Sequence, residues 1–302
     1  MPGSPRRSLV VISIAAALVL AGRRAGAQRA PSTDIYLATI TRTGDRLTVG
    51  SATNITHRPG YDNQPAFTAD GRSLLYTSVR GAPGSQSDIY RIDIATGRET
   101  PVTTTPESEY SPTTTPDGSG ISVVRVEHDS TQRLWRFPNL GGAPSLVLER
   151  VKPVGYHAWG DDHTLALFVL GSPNTLQVAD TRTGRADTLA TRIGRAIQKV
   201  PRKHEIGFVE KRGEHDWWLA VLDLDSRKIT PAVRMPDGVE DFVWLPDGSA
   251  LAGKGSTLLR WDAGDAGWRE VADLAASGVH GITRLAVSPE GDRLAIVADD
   301  GR

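Results

Sequence analysis

The side chains able to do chemistry in this 302-residue chain fall in short polar clusters at intervals, not in one motif. Asn63 and Gln64 form the first cluster, Glu109, Tyr110 and Ser111 the second, and Tyr156 and His157 the third. Gln198 is the polar member expected of the fourth, Glu240 and Asp241 make the fifth, and Arg284 stands for the sixth. Brought together, carboxylates, an amide and an imidazole offer the ligand atoms that hold a divalent cation such as calcium. The same groups in a solvated channel would hold only ordered water. Asn63, Glu109 and Asp241 are also the ligand types that a metal-dependent lactonase-type hydrolase needs. Arg284 is the single cation of the set, and we expect it to pair with a carboxylate and orient a ligand.

Sharper catalytic signatures fail. His204-Glu205 lacks the second histidine that a zincin helix requires, and its surroundings read as a strand. No Gly-x-Ser-x-Gly elbow and no phosphate-cradling glycine loop occurs. Lys+Arg and Asp+Glu both number 35, so no net field draws nucleic acid or an anionic membrane. With no cysteine, disulfides and a lipid-modified cysteine are both excluded.

The elements that must position these clusters repeat. Asp70-Gly71, Asp117-Gly118, Asp161-Asp162, Asp247-Gly248 and Glu290-Gly291 each lie between two apolar, alternating runs, the pattern of a β-hairpin. With a degenerate copy near residues 198–210, six hairpins follow one another about 41 to 47 residues apart. Further strand-like segments, such as SDIYRIDIATG at 87–97, follow the hairpins, so each unit holds four strands, as in a propeller blade. The last hairpin, at 282–298, has no outer strands after it, whereas TDIYLATITRTGDRLTV at 33–49 matches 87–102 and has no hairpin before it. We therefore expect residues 33–51 to supply the outer strands of the sixth blade and close the ring. The innermost strand of each blade would carry the polar clusters to the mouth of a central channel. Trp135, Trp159, Trp244 and Trp261 are expected to pack between blades, and one of Trp217 and Trp218 either to pack against the next blade or to stand on the surface as a contact.

Arg6 and Arg7, an apolar run from Leu9 to Ala21, and Ala25-Gly26-Ala27 read as a secretory signal over residues 1–27. The expected mature chain, 28–302, is one propeller domain in the periplasm or outside a bacterial cell, without a stable membrane span because the apolar run is short.

The hairpins QPAFTADGRSLLYTS and LAVSPEGDRLAIV, with the DIYRIDIATG segment, resemble the repeats of TolB-like six-bladed β-propellers over roughly residues 33–300. That resemblance implies an all-β fold of six four-stranded antiparallel blades and an exported, non-catalytic module that binds a protein, a peptide or a small polar ligand. No α/β domain like that of TolB precedes the repeats, and no peptidase domain follows them, so the chain is expected to be a stand-alone propeller. The lactonase-type hydrolase is the competing expectation, and it requires Asn63, Glu109, His157 and Asp241 to converge.

Overall fold

The computed structural model describes residues 32–81, 85–139 and 141–301. The expected signal segment lies outside the described residues. The described chain folds into a six-bladed β-propeller of four-stranded antiparallel blades, the sixth carrying one extra short strand, Thr53–Asn54, paired with Thr33–Thr43. The innermost strands, in blade order, are Asp62–Phe67, Ser108–Thr114, Val154–Trp159, Ile193–Lys199, Val243–Trp244 and Arg284–Val287. No helix among the described residues is long and apolar enough to cross a membrane.

The hairpin turns form as their sequence demands, with one refinement. The amide of Gly71 donates to the Thr68 carbonyl at 2.8 Å and its φ is +65°, so glycine occupies the left-handed position that ends a four-residue turn. The Asp70 carboxylate accepts from the Thr68 hydroxyl at 2.6 Å and from the Arg72 amide at 3.0 Å. Thr115, Asp117, Gly118 and Ser119 repeat this arrangement in blade two.

Alternation along each strand divides the core into wedges between blades. On Ser73–Val79, Leu74 and Tyr76 pack toward blade six with Ile35, Ala295 and Val297, while Leu75 points the other way, to Ile121 and Val123 of blade two. Similar clusters fill the remaining junctions, which is why these strands are apolar on both faces.

The N-terminal strand Thr33–Thr43 pairs antiparallel with Arg293–Asp299, in register from Thr33 opposite Asp299 to Thr39 opposite Arg293. Arg46–Val49 adds the outer strand, and the sixth blade is complete. Ile35, Tyr36, Ala38 and Ile40 are all buried at this seam. The match between TDIY and SDIY has a structural meaning: the Thr33 hydroxyl donates to the Asp62 carbonyl, and the Ser87 hydroxyl to the Glu109 carbonyl, each at 2.9 Å. In both places a third strand is stitched to the innermost strand of the next blade.

Candidate functional site

The innermost strands surround a central cavity of about 510 Å³. A regular strand sends its side chains into the wedges on either side and presents only its backbone edge to the channel. Bulges change this. Pairing slips by one residue between Asn63 and Ala66 and again between Tyr110 and Thr113, and the strands of blades three and four slip at equivalent places. Gln64 and Ser111, both followed by proline, take left-handed φ values of +56° and +54° at these slips. A bulge re-aims a side chain, and here it turns Gln64 and Ser111 to line the cavity. The two are tied together: Gln64 Oε1 accepts from the Ser111 amide at 2.8 Å and from the Thr77 hydroxyl at 2.7 Å. The Gln64 amide NH2 is left as a donor.

The connection-side mouth gathers residues from most of the blades. Arg284 Nε donates to Asn63 Oδ1 at 3.2 Å, its terminal nitrogens reach the Tyr156 hydroxyl at 3.3 Å and Asp241 Oδ2 at 3.7 Å, and its guanidinium lies 5.0 Å from the Tyr156 ring centre. Burial works against the Arg284 charge, but the Tyr156 phenol, the Asp241 carboxylate and the Tyr61 phenol outweigh it and hold the group protonated. Burial raises the Asp241 pKa, against the pull of Arg284, Arg195 and the Leu285 amide, which donates to its Oδ1 at 3.2 Å. Burial also raises Tyr61, which keeps its phenolic proton beside Tyr156, Arg284, Tyr110 and Arg195.

Asn63, Tyr156, Asp241 and Arg284 thus come together, with Gln64 and Ser111 on the adjoining wall and Gln198 farther along it. Glu109, Tyr110 and Glu240 do not line the cavity. Glu109 sits before the blade-two bulge, where alternation sends it into the wedge opposite Arg125. There it is fully buried, bonded to the Thr105 hydroxyl and 3.5 Å from Arg125 Nε, and burial pushes its carboxyl up to about 7. Tyr110 packs against the apolar cluster between blades two and three. Glu240 pairs with Lys211 at 3.0 Å and accepts from the Arg195 amide at 2.8 Å. Gly194 makes that approach possible, since a Cβ there would lie 2.9 Å from the Glu240 side chain.

His157 borders the cavity but is committed to its wall. Its Nε2 lies 2.6 Å from the Ser122 hydroxyl, which also accepts from Trp159 Nε1 at 2.9 Å. Burial holds the imidazole down to about 3, so it stays neutral. Serine beside histidine invites comparison with a nucleophile and its base, but Ser122 is fully buried off the cavity and no carboxylate orients the other imidazole nitrogen, Nδ1. Among the described residues no three of His, Cys, Asp and Glu gather closely enough to hold a metal ion. The oxygens of Asn63 and Asp241 face a guanidinium, which repels a cation.

Sequence reasoning missed Arg195, Tyr61 and two of the cavity-lining tryptophans. Arg195 lies within the slip between Ile193 and Ile197, in the least regular of the six copies, and reaches across to the Thr283 carbonyl at 3.0 Å. Trp159 and Trp244 pack at blade junctions as expected and also line the cavity. Trp217 and Trp218 are both half-buried, each beneath a cation: Lys211 lies 4.1 Å from the first ring and Arg212 5.0 Å from the second.

No family model and no curated protein matches the chain. Solved structures match its fold. The TolB-type protein of Agrobacterium tumefaciens superimposes with a TM-score of 0.69 at 17% identity, covering 89% of this chain and 98% of that one. An oligogalacturonate lyase solved in complex with manganese gives 0.53 at 15%, covering 86% and 77%. A chain of the nidogen/laminin complex gives 0.56 at 12%, covering 88% and 98%. Identities this low carry the architecture and nothing about the site. The chain has the fold of the TolB-like six-bladed β-propellers.

Proposed function

We propose that this propeller is a non-catalytic binding module that receives a polar ligand, or a segment of a protein partner, at the connection-side mouth of its channel. One observation carries this reading: Arg284 is held by groups from three other blades at the rim of a cavity of about 510 Å³, within the size range of ligand pockets. The acid–base groups nearby are engaged in the wall. His157 is neutral on Ser122, and Asp241 is held by Arg284 and a backbone amide. The nidogen/laminin complex supports the reading by analogy of fold alone. The arginine pair, apolar run and small residues at the N-terminus support placing the module in an exported compartment. A metal-dependent hydrolase would need Asn63, Glu109, His157 and Asp241 together, and Glu109 stands in a wedge while His157 is bonded to Ser122.

The test is a panel of peptides and small polar ligands screened by thermal shift against the parent and Gln198→Trp, which fills the channel with an indole. A true ligand raises the melting temperature of the parent and leaves that of Gln198→Trp unchanged. Ligands that stabilise both proteins equally would place binding elsewhere. Turnover of a lactone by the parent with added calcium would revive the hydrolase.

A further inference from the structure

Resting on that reading, we infer that the channel mouth selects a carboxylate, held between Arg195 and Arg284. The two guanidiniums come from blades four and six, and both line the cavity together with Tyr156. Their charges are not balanced. Asp241 is the one carboxylate that pairs with Arg284, at 3.7 Å, and no carboxylate among the described residues makes an ion pair with the Arg195 guanidinium. The nearby Glu240 is taken up by Lys211. Arg195 spends one terminal nitrogen on the Thr283 carbonyl, while its buried Nε has no partner.

Two half-buried guanidiniums that share one carboxylate are costly, and a single anion would cancel the surplus of one positive charge. The charge count favours a monoanion, because a phosphate dianion would leave the mouth negative by one. The donors favour a planar group with two oxygens, since guanidinium forks match a carboxylate. The Gln64 amide NH2, on the cavity wall, supplies a further donor. The cavity behind the mouth, with Trp159 and Trp244 on its wall, has room for the body of a small acid or the last side chain of a peptide.

Two pairs of probes separate the two sources. Benzoate against benzamide represents a small acid, and an acetylated tripeptide with a free C-terminus against its C-terminal amide represents a chain end. Each is titrated calorimetrically into the parent, Arg195→Gln, Arg195→Lys, Arg284→Gln and Gln198→Trp. We expect at least one acid to bind about tenfold more tightly than its amide. That preference should fall below about threefold in either glutamine variant, survive in part in Arg195→Lys, and vanish in Gln198→Trp, as expected of charge-assisted bonds inside the channel. The pair that shows it names the source. If acid and amide bind equally and Gln198→Trp blocks both, the channel still binds but the carboxylate inference is overturned. If the acid preference persists in Gln198→Trp, the channel reading itself falls. If neither acid binds the parent, the inference is overturned whatever neutral ligands the panel yields.

Discussion

Glu109 and Arg284 are both buried charged groups on innermost strands, and they do opposite things. Glu109 is sealed in a wedge, its neighbours supplied by Thr105 and Arg125, with one oxygen left unbonded. Arg284 faces a cavity among Asn63, Tyr156 and Asp241, with Arg195 of blade four as a second guanidinium on the cavity wall. Asp62 of blade one repeats the Glu109 arrangement, fully buried against Arg58 and Ser78 with one oxygen unbonded. The contrast teaches that in this fold a charge in a wedge is sealed among protein groups, whereas a charge at the mouth faces the cavity.

The largest test of the wedge side is the seam. Residues 33–51 bury Ile35, Tyr36, Ala38, Ile40 and Leu47, and Ile35, Ile40 and Leu47 each contribute about 1.5 to 3 kcal/mol. Deleting them should abolish the cooperative urea transition or send the protein into aggregates. A truncated protein that melts like the parent would break the comparison at its root.

The wedge acids should then set a pH dependence. Burial raises Glu109 from 4.5 to about 7 and Asp62 from 3.8 to about 6. Both bind protons more tightly folded than unfolded, so stability is greatest below about pH 4 on their account and falls as pH rises through 7, by at most about 3 kcal/mol each. Urea titrations at pH 4.5 and 7.5 should show that fall in the parent and a flatter profile in Glu109→Gln with Asp62→Asn. An unchanged slope in the double variant would show that these carboxyls are not the titrating groups.

A turn remote from both regions calibrates the scale. Gly118 has φ of +66° and open space where a side chain would project, so Gly118→Val is opposed by backbone strain alone, about 1 to 3 kcal/mol in urea titration. Parental stability would remove glycine from the left-handed position assigned to it. The smallest effect on stability belongs to the mouth: Arg284→Gln should change unfolding by less than about 1 kcal/mol, because the surplus of positive charge that opposes folding is relieved as contacts are lost. A loss larger than that of Gly118→Val would make Arg284 a structural residue and erase the contrast with Glu109.

How far the sequence reaches is visible in these same residues. Hairpins, blade count and ring closure were legible, since turn chemistry and two-residue alternation act over a few neighbours, and the match of residues 33–44 to 87–98 marks a shared strand position. The channel ring was legible only in part. Glu109 and Ser111 are two residues apart, which in a regular strand means the same face, yet the bulge after Tyr110 leaves one in a wedge and turns the other to the cavity. Arg195 carries no local sign of its place at the cavity, because that place is fixed by its reach to the Thr283 carbonyl, from a blade far away in the chain. Short-range rules determined the blades of this protein. Which polar groups meet at the mouth, and with what net charge, was decided only when strand slips and the closing of the ring brought distant side chains to one point.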